Sequence, residues 1–445
     1  MNIVIIGLGT GGFAAHLYAK RACRDAKVII VDRKEFNLFH PCGLPFILDK
    51  TLDAGKLEHM LNLKGTEVLQ SHECLKIIPD ANEVLIQQVG TDKRRRIPYD
   101  RLIIATGSTA SIPPIDGIRP LLGKSIFTLH CTDDAKKIIA KEKKHILIVG
   151  AGPIGLESAA GLRKTCKVTV VEALSNVFPR SLDTDMAKMI EEYLVTKGVM
   201  FHFGKLLSKI LSESDSLVGV KIGEEEIRCD TILLSCGARV DLKMFSDAGL
   251  LIGDHGLKVN SRMQTNHKNI YAVGDIVETK IIGSEQKLPS RLATLAYAQG
   301  KAAGINSVGG DAFYHETNMA FASMIGDLEV ASVGMTSKVA DDSGYSVIAV
   351  KVRSTDIPEW AICDEKKHDI TLKIIIDKTT LQVLGCQSVG IGAAAKVNVV
   401  AAAIASGLTA DKLADVELAY CPSISNLPDV LSVACETAVR RARLS

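Results

Sequence analysis

No stretch of the 445 residues is apolar for long enough to cross a bilayer as a helix. A strand pattern begins within two residues of Met1, with no charged n-region or cleavage site before it. No secretory signal is therefore expected, and a cytoplasmic location is. An excess of one charge is also lacking: 53 Lys and Arg face 51 Asp and Glu, a formal net charge of +2. No long-range field then argues for nucleic acid or a membrane surface. The one basic run, Lys93, Arg94, Arg95 and Arg96, falls between strand patterns and reads as a solvated hairpin. No two of the 11 cysteines are spaced C-x-x-C, which argues against a zinc ribbon or a thioredoxin motif, and no metal site is expected. In a reducing compartment Cys23, Cys74, Cys131, Cys166, Cys229, Cys236, Cys363 and Cys386 read as small core residues. Low-complexity tracts and short repeats are missing too. The length is nevertheless too great for one compact domain, and two to four are expected.

Glycine, at 36 residues, is where the information lies. "NIVIIGLGTGGFAAHLYAKR" opens with a buried apolar run, Ile3 to Ile6, and continues with Gly7, Gly9 and Gly12 into a helical pattern. "KVIIVD" then returns as a second strand ending at Asp32. Gly7 allows the tight turn, Gly9 lets the backbone approach a pyrophosphate, and Gly12 lets helix and sheet pack closely. The helix N-terminus faces the phosphates, and Asp32 is placed to accept from a ribose. Arg33, next to it, is counted with these cofactor contacts. The unit recurs in "HILIVGAGPIGLESAAGLRKTCKVTVVEA", with Gly150, Gly152 and Gly155 and a strand ending at Glu172. A carboxylate there favours a free 2′-hydroxyl, hence NADH over NADPH, and no arginine immediately follows to hold a 2′-phosphate. Glu157 and Gly237 are counted with this second site. "RLIIATGS" and "NIYAVGDI" each end a strand in a glycine turn, implicating Thr106, Gly107, Gly274 and Asp275.

"FHPCGLPF" places Cys42 shortly after Asp32. Residue by residue it is either a small buried hydrophobe in a turn or a redox thiol beside a cofactor. In their order these segments resemble the FAD- and NAD-dependent pyridine nucleotide–disulfide oxidoreductases, over essentially the whole chain. The resemblance implies an FAD unit first, an inserted NAD unit, and a second FAD segment in "TNHKNIYAVGD", where Asp275 contacts the ribityl–phosphate region. It also implies that Leu292, Ala293 and Thr294, in "PSRLATLAYAQGKAAG", lie under the flavin ring, and that a dimerisation domain follows. The implied fold class is α/β, with two Rossmann-like nucleotide-binding domains and a C-terminal α+β dimerisation domain. The expected boundaries are 1–118 and 246–314 for FAD, 119–245 for NAD and 315–445 for dimerisation.

No second cysteine lies within five residues of Cys42, so "CGLPF" resembles the single-cysteine branch: coenzyme A-disulfide reductases, NADH oxidases, NADH peroxidases and persulfide or polysulfide reductases. That makes Cys42 the redox thiol. The resemblance implies that flavin and nearby dipoles lower its pKa, because a thiolate must both attack and leave. Thr10 stands where oxidases and peroxidases typically carry a histidine, which counts against a dedicated peroxidase; His16 falls on the following helix and reads as packed or solvated. Lys20 and Arg21 stand about where the disulfide reductases hold coenzyme A phosphates. Phe39, His40 and Pro41 depart from the more polar residues common there, and His40 is kept as a substrate contact. In "ELAYCPSISNLPDVL", Tyr420 matches a tyrosine that closes the partner's active site in the family's homodimers and protonates a leaving thiolate. The adjoining Cys421 reads as packed, with an intersubunit disulfide to Cys42 as the alternative. The implied activity is transfer of electrons from NADH, through FAD and Cys42, to a low-molecular disulfide, persulfide or polysulfide, with coenzyme A as substrate or bound thiol. The rivals are an NADH oxidase and a redox-sensing flavoprotein.

Overall fold

Short, unbroken Ile/Val runs form strands buried on both faces of parallel sheets, which is why they do not alternate. The computed structural model describes residues 1–363 and 368–444. In it β1 (Asn2–Ile6) leads through the first glycine turn into α1 (Thr10–Ala22), and β2 (Lys27–Val31) pairs parallel to β1. Cys42 follows in a single 3₁₀ turn, Pro41–Gly43, which runs directly into a short helix, α2 (Leu44–Leu48). β3 (Thr66–Leu69) and β4 (Arg101–Ile104) extend the sheet on either side. A strand made much later, Ile270–Ala272, completes it beside β4. The basic run lies on the edge strand Arg94–Pro98 of a separate antiparallel sheet, with Arg94, Arg95 and Arg96 all exposed.

The second parallel sheet repeats the plan. β5 (Ile126–Phe127), α3 (Thr132–Ala140), β6 (His145–Val149), α4 (Pro153–Leu162), β7 (Lys167–Glu172), α5 (Thr184–Thr196), β8 (Met200–Phe203) and β9 (Thr231–Leu234) follow in sequence. The strands lie in the order β5-β9-β6-β7-β8. The chain then returns to the first unit, where α6 (Ala293–Ser307) packs along α1. The last part is an antiparallel sheet of β10 (Phe321–Ile325), β11 (Leu328–Gly334), β12 (Val347–Thr355), β13 (Asp369–Asp377) and β14 (Val383–Gly390), in the order β10-β11-β14-β13-β12. Two helices, α7 (Ala393–Ala405) and α8 (Val430–Leu444), pack against it. No helix among the described residues is long and apolar enough to cross a membrane.

One apolar core belongs to no single unit. Leu44, Ile47 and Leu48 of α2 pack with Ile148, Leu156 and Ala160 of the second sheet unit and with Ile325, Val330 and Val389 of the C-terminal sheet. The helix behind Cys42 is thus seated in the second nucleotide unit although the chain enters it from the first. Gly161 of α4 makes the close approach possible: a Cβ there would stand 2.7 Å from Cβ of Asp49.

Candidate active site

The two glycine loops have the same geometry. Gly7 and Gly150 adopt φ of +96° and +107°, and a Cβ on either would run into the carbonyl oxygen of the neighbouring strand end, Ala105 or Ser235, at 2.3 and 2.5 Å. A Cβ on Gly12 or Gly155 would meet the carbonyl oxygen of Gly7 or Gly150 at 2.0 and 2.1 Å. Gly9 and Gly152 differ: nothing lies within 4 Å of the Cβ position, so each loop presents an open lip of bare backbone where α1 or α4 begins. At the end of the second strand of each unit a carboxylate faces its loop. Asp32 accepts from the Leu8 N–H at 2.5 Å and the Lys34 N–H at 2.8 Å; Glu172 accepts from the Ala151 N–H at 2.7 Å and the Leu174 N–H at 2.9 Å. An open, donor-rich lip with a carboxylate beside it is what a dinucleotide's pyrophosphate and ribose require. The residues present fit FAD at the first loop and NAD at the second.

The two strand-end motifs meet in space. Ser108, just after Thr106 and Gly107, donates to the Asp275 carboxylate at 2.5 Å. Burial raises the Asp275 pKa, while Ser108, Arg291 and His130 oppose that shift. Gly107 and Gly274 both adopt positive φ, and the Gly274 N–H is held by the buried Gln299 side chain at 2.8 Å. His130 faces the same cluster; burial and the nearby Arg33 hold its imidazole below the usual value. The α6 N-terminus, from Leu292 as N-cap to the exposed Ala293 and Thr294, opens beside it. Sequence reasoning missed Gln299, His130 and Arg291. Nothing in their local sequence marks them, since each acts on a group far away in the chain.

Cys42 as a residue is exposed, on the turn before α2, although protein surrounds much of its sulfur. The chain by itself does not lower the thiol pKa: partial burial raises it, and the Glu157 carboxylate and then Asp275 add to the rise. Any stabilisation of the thiolate by flavin has to overcome that field. Glu157 lies on α4 and accepts from Ser323 of β10 at 2.6 Å; burial pushes its own pKa up to about 7. The thiol therefore feels the charge of one group from each nucleotide unit.

Several expectations need correction or refinement. Lys20 donates to the Ala26 carbonyl at 2.9 Å and to that of Arg24 at 3.3 Å, in the turn that follows α1. Arg21 is exposed and lies over the Tyr18 ring at 5.2 Å, with Lys301 over the same ring at 5.4 Å. His40 is exposed and meets His59 edge-on. His16 is packed, its Nε2 2.9 Å from the Thr66 hydroxyl. Tyr420 is 45% exposed on the segment between α7 and α8. Cys421 is not packed within its own chain: it is exposed, contacts the Ser423 hydroxyl at 3.2 Å, and has its pKa lowered by that contact. The core reading holds for Cys229 and Cys386, whereas Cys131, Cys236 and Cys363 are exposed and Cys23, Cys74 and Cys166 half-buried. No cluster among the described residues could hold a metal ion.

Duplicated dinucleotide loops, with an exposed thiol on the turn that follows the first, define the class. Residues 1–300 match the pyridine nucleotide-disulphide oxidoreductase family and 321–430 its dimerisation domain, and the chain belongs to that family. Over 99% of both chains it is 29% identical to a protein named NADH oxidase from Methanocaldococcus jannaschii. Over 97% of both it is 26% identical to the NAD(P)H coenzyme A polysulfide/persulfide reductase of Pyrococcus horikoshii. The solved NAD-dependent persulfide reductase from A. fulgidus superposes with a TM-score of 0.93 at 30% identity, covering all of this chain and 84% of that one. The chain is an FAD-dependent NADH oxidoreductase of this family, and it carries a dimerisation domain.

Proposed function

We propose that the protein reduces low-molecular disulfides, persulfides or polysulfides with NADH, coenzyme A disulfide and coenzyme A persulfide being the leading substrates. The observation that carries this reading is the exposed Cys42 on the turn before α2, with no second cysteine near it in sequence and a helix behind it seated in the NAD unit. The Cys42 thiolate attacks one sulfur of R–S–S–R; a Cys42–S–S–R bond forms and RS⁻ leaves. With R–S–SH, attack on the outer sulfur leaves a persulfide on Cys42 and releases RS⁻. FAD, when bound, supplies the two electrons from NADH that break the new sulfur–sulfur bond. Overall, NADH, a proton and R–S–S–R give NAD⁺ and two RSH. One cysteine suffices because the substrate provides the second sulfur. Glu172 makes NADH the preferred donor. Arg21 and Lys301 offer two cations beside Tyr18 for the phosphates of coenzyme A, and Lys20, which spends two of its three donors on the Arg24 and Ala26 carbonyls, stands next to them. The molecule works as a homodimer in the cytoplasm, and Tyr420 closes the partner's site and protonates the leaving thiolate. Ile424 and Leu427, 77% and 68% exposed on the same segment, supply apolar surface for that contact.

Anaerobic NADH consumption across coenzyme A disulfide, coenzyme A persulfide and polysulfide tests the proposal, with an aerobic arm for oxygen. Turnover with a sulfur substrate that disappears in Cys42→Ser, while FAD and its reduction by NADH remain, is the expected result. A hydroxyl is a far weaker nucleophile at neutral pH. Turnover with oxygen alone would make the protein an NADH oxidase instead. Unchanged sulfur turnover in the variant would remove Cys42 from the chemistry.

A further inference from the structure

Arg291 belongs by sequence to the first nucleotide unit, two residues before α6, yet its guanidinium reaches the second. Its Nη1 lies 3.8 Å from the position a Cβ would take on Gly237. Gly237 follows the carboxyl end of β9, where the Ser235 N–H pairs with the Val149 carbonyl and the Ser235 carbonyl closes over Gly150. In an open parallel sheet the ligand lies outside the carboxyl ends of the strands. Arg291 therefore stands at the mouth of the NAD loop, close enough to Asp275 to bias its titration. Among the described residues Arg291 has no ion-pair partner within 4 Å. A guanidinium without a counter-ion beside a dinucleotide loop is a ready partner for a phosphate. Glu172, at the end of β7, marks the adenosine ribose, and Gly152 the pyrophosphate. Arg291 lies beside Gly237 and comes from the unit that carries Asp275, on the flavin side of the loop.

We propose that Arg291 holds the NADH phosphate on the nicotinamide side and so aligns the nicotinamide with the flavin. Arg291 is in these terms a positioning residue. The proposal rests on NADH as donor and not on which sulfur compound accepts the electrons, so it is tested in the reductive half-reaction alone. Flavin bleaching is followed anaerobically by stopped flow with three donors: NADH, reduced nicotinamide mononucleotide and dihydronicotinamide riboside, the last carrying no phosphate. Arg291→Gln should weaken binding of NADH and of the mononucleotide about tenfold, the scale of a charge-assisted hydrogen bond, and leave the riboside within about twofold. Arg291→Lys should recover most of the loss, because an ammonium restores the charge without the fork. Equal weakening with the riboside would overturn the proposal and assign Arg291 to the flavin or to Asp275. Unchanged binding of all three donors would overturn it as well. Failure of every sulfur substrate in the turnover assay would leave this result standing.

Discussion

The thiol and the carboxylate that most affects it belong to different units. Glu157 raises the Cys42 pKa and itself titrates at about 7. Above pH 7 Glu157 is ionised and its negative charge disfavours the thiolate; below pH 7 it takes up a proton and that penalty fades. Glu157→Gln should therefore speed alkylation of Cys42 at pH 8, read from the labelled peptide by mass spectrometry. The gap between variant and wild type should close as pH falls below 7. A constant gap across that range would mean that Glu157 does not titrate there. The positions of Asp32 and Glu172 beside their loops were legible in the sequence because each ends the strand after a glycine motif. Cys42 was singled out only through the family resemblance, since its local sequence fits a packed turn as well. Ser108 and Asp275 were legible only as two separate strand ends. Their hydrogen bond spans 167 residues, a distance no local pattern encodes. The chain's own effect on the thiol pKa was not legible either, since the packing that buries the sulfur and the carboxylates that add to the rise arrive from elsewhere in the fold.

At the level of elements, the strand–glycine loop–helix–strand unit is built twice to one geometry, and the two copies should fail separately. In Gly12→Ala the new Cβ collides with the Gly7 carbonyl, and in Gly155→Ala with that of Gly150; both obstacles are backbone and cannot swing aside. Gly12→Ala should cost FAD, seen as loss of flavin absorbance in the purified protein. Gly155→Ala should remain yellow but lose bleaching by NADH. Loss of flavin in both, or of neither property, would contradict two independent cradles. These units were legible because glycine spacing, apolar runs and terminal acids coincide. The seat of α2 was not, since "LPFIL" is an apolar run compatible with any core.

Across the whole molecule, polar bonds fasten the second unit to the C-terminal sheet. Lys373 of β13 reaches Asp183 at 2.8 Å and Asp185 at 2.7 Å near the start of α5, and Lys351 of β12 also pairs with Asp185 at 3.1 Å. Asp183 further accepts from the Ser337 hydroxyl at 2.5 Å. Lys373→Met would leave the Asp183 carboxylate without its cation and should cost about 3 kcal/mol, visible as a lowered Tm. No change in Tm would show that Lys351 and Ser337 suffice. Cys421 tests the dimer. If it meets Cys42 of the partner, non-reducing gels of the oxidised protein show a covalent dimer that vanishes in Cys421→Ser, with slower turnover. A monomeric band throughout and unchanged turnover would confine Cys421 to the surface.

The shared seat of α2 bears on modularity. A nucleotide unit entered and left by the chain between two halves of another looks like a removable cassette. Here it is not one, because excising it would strip the floor from under Leu44, Ile47 and Leu48 and unmoor the turn that carries the thiol. Donor preference can be re-engineered by changes confined to the lip around Glu172 with the thiol still in register. Grafting in a foreign NAD unit would have to recreate the groove for α2 before any electron could reach sulfur.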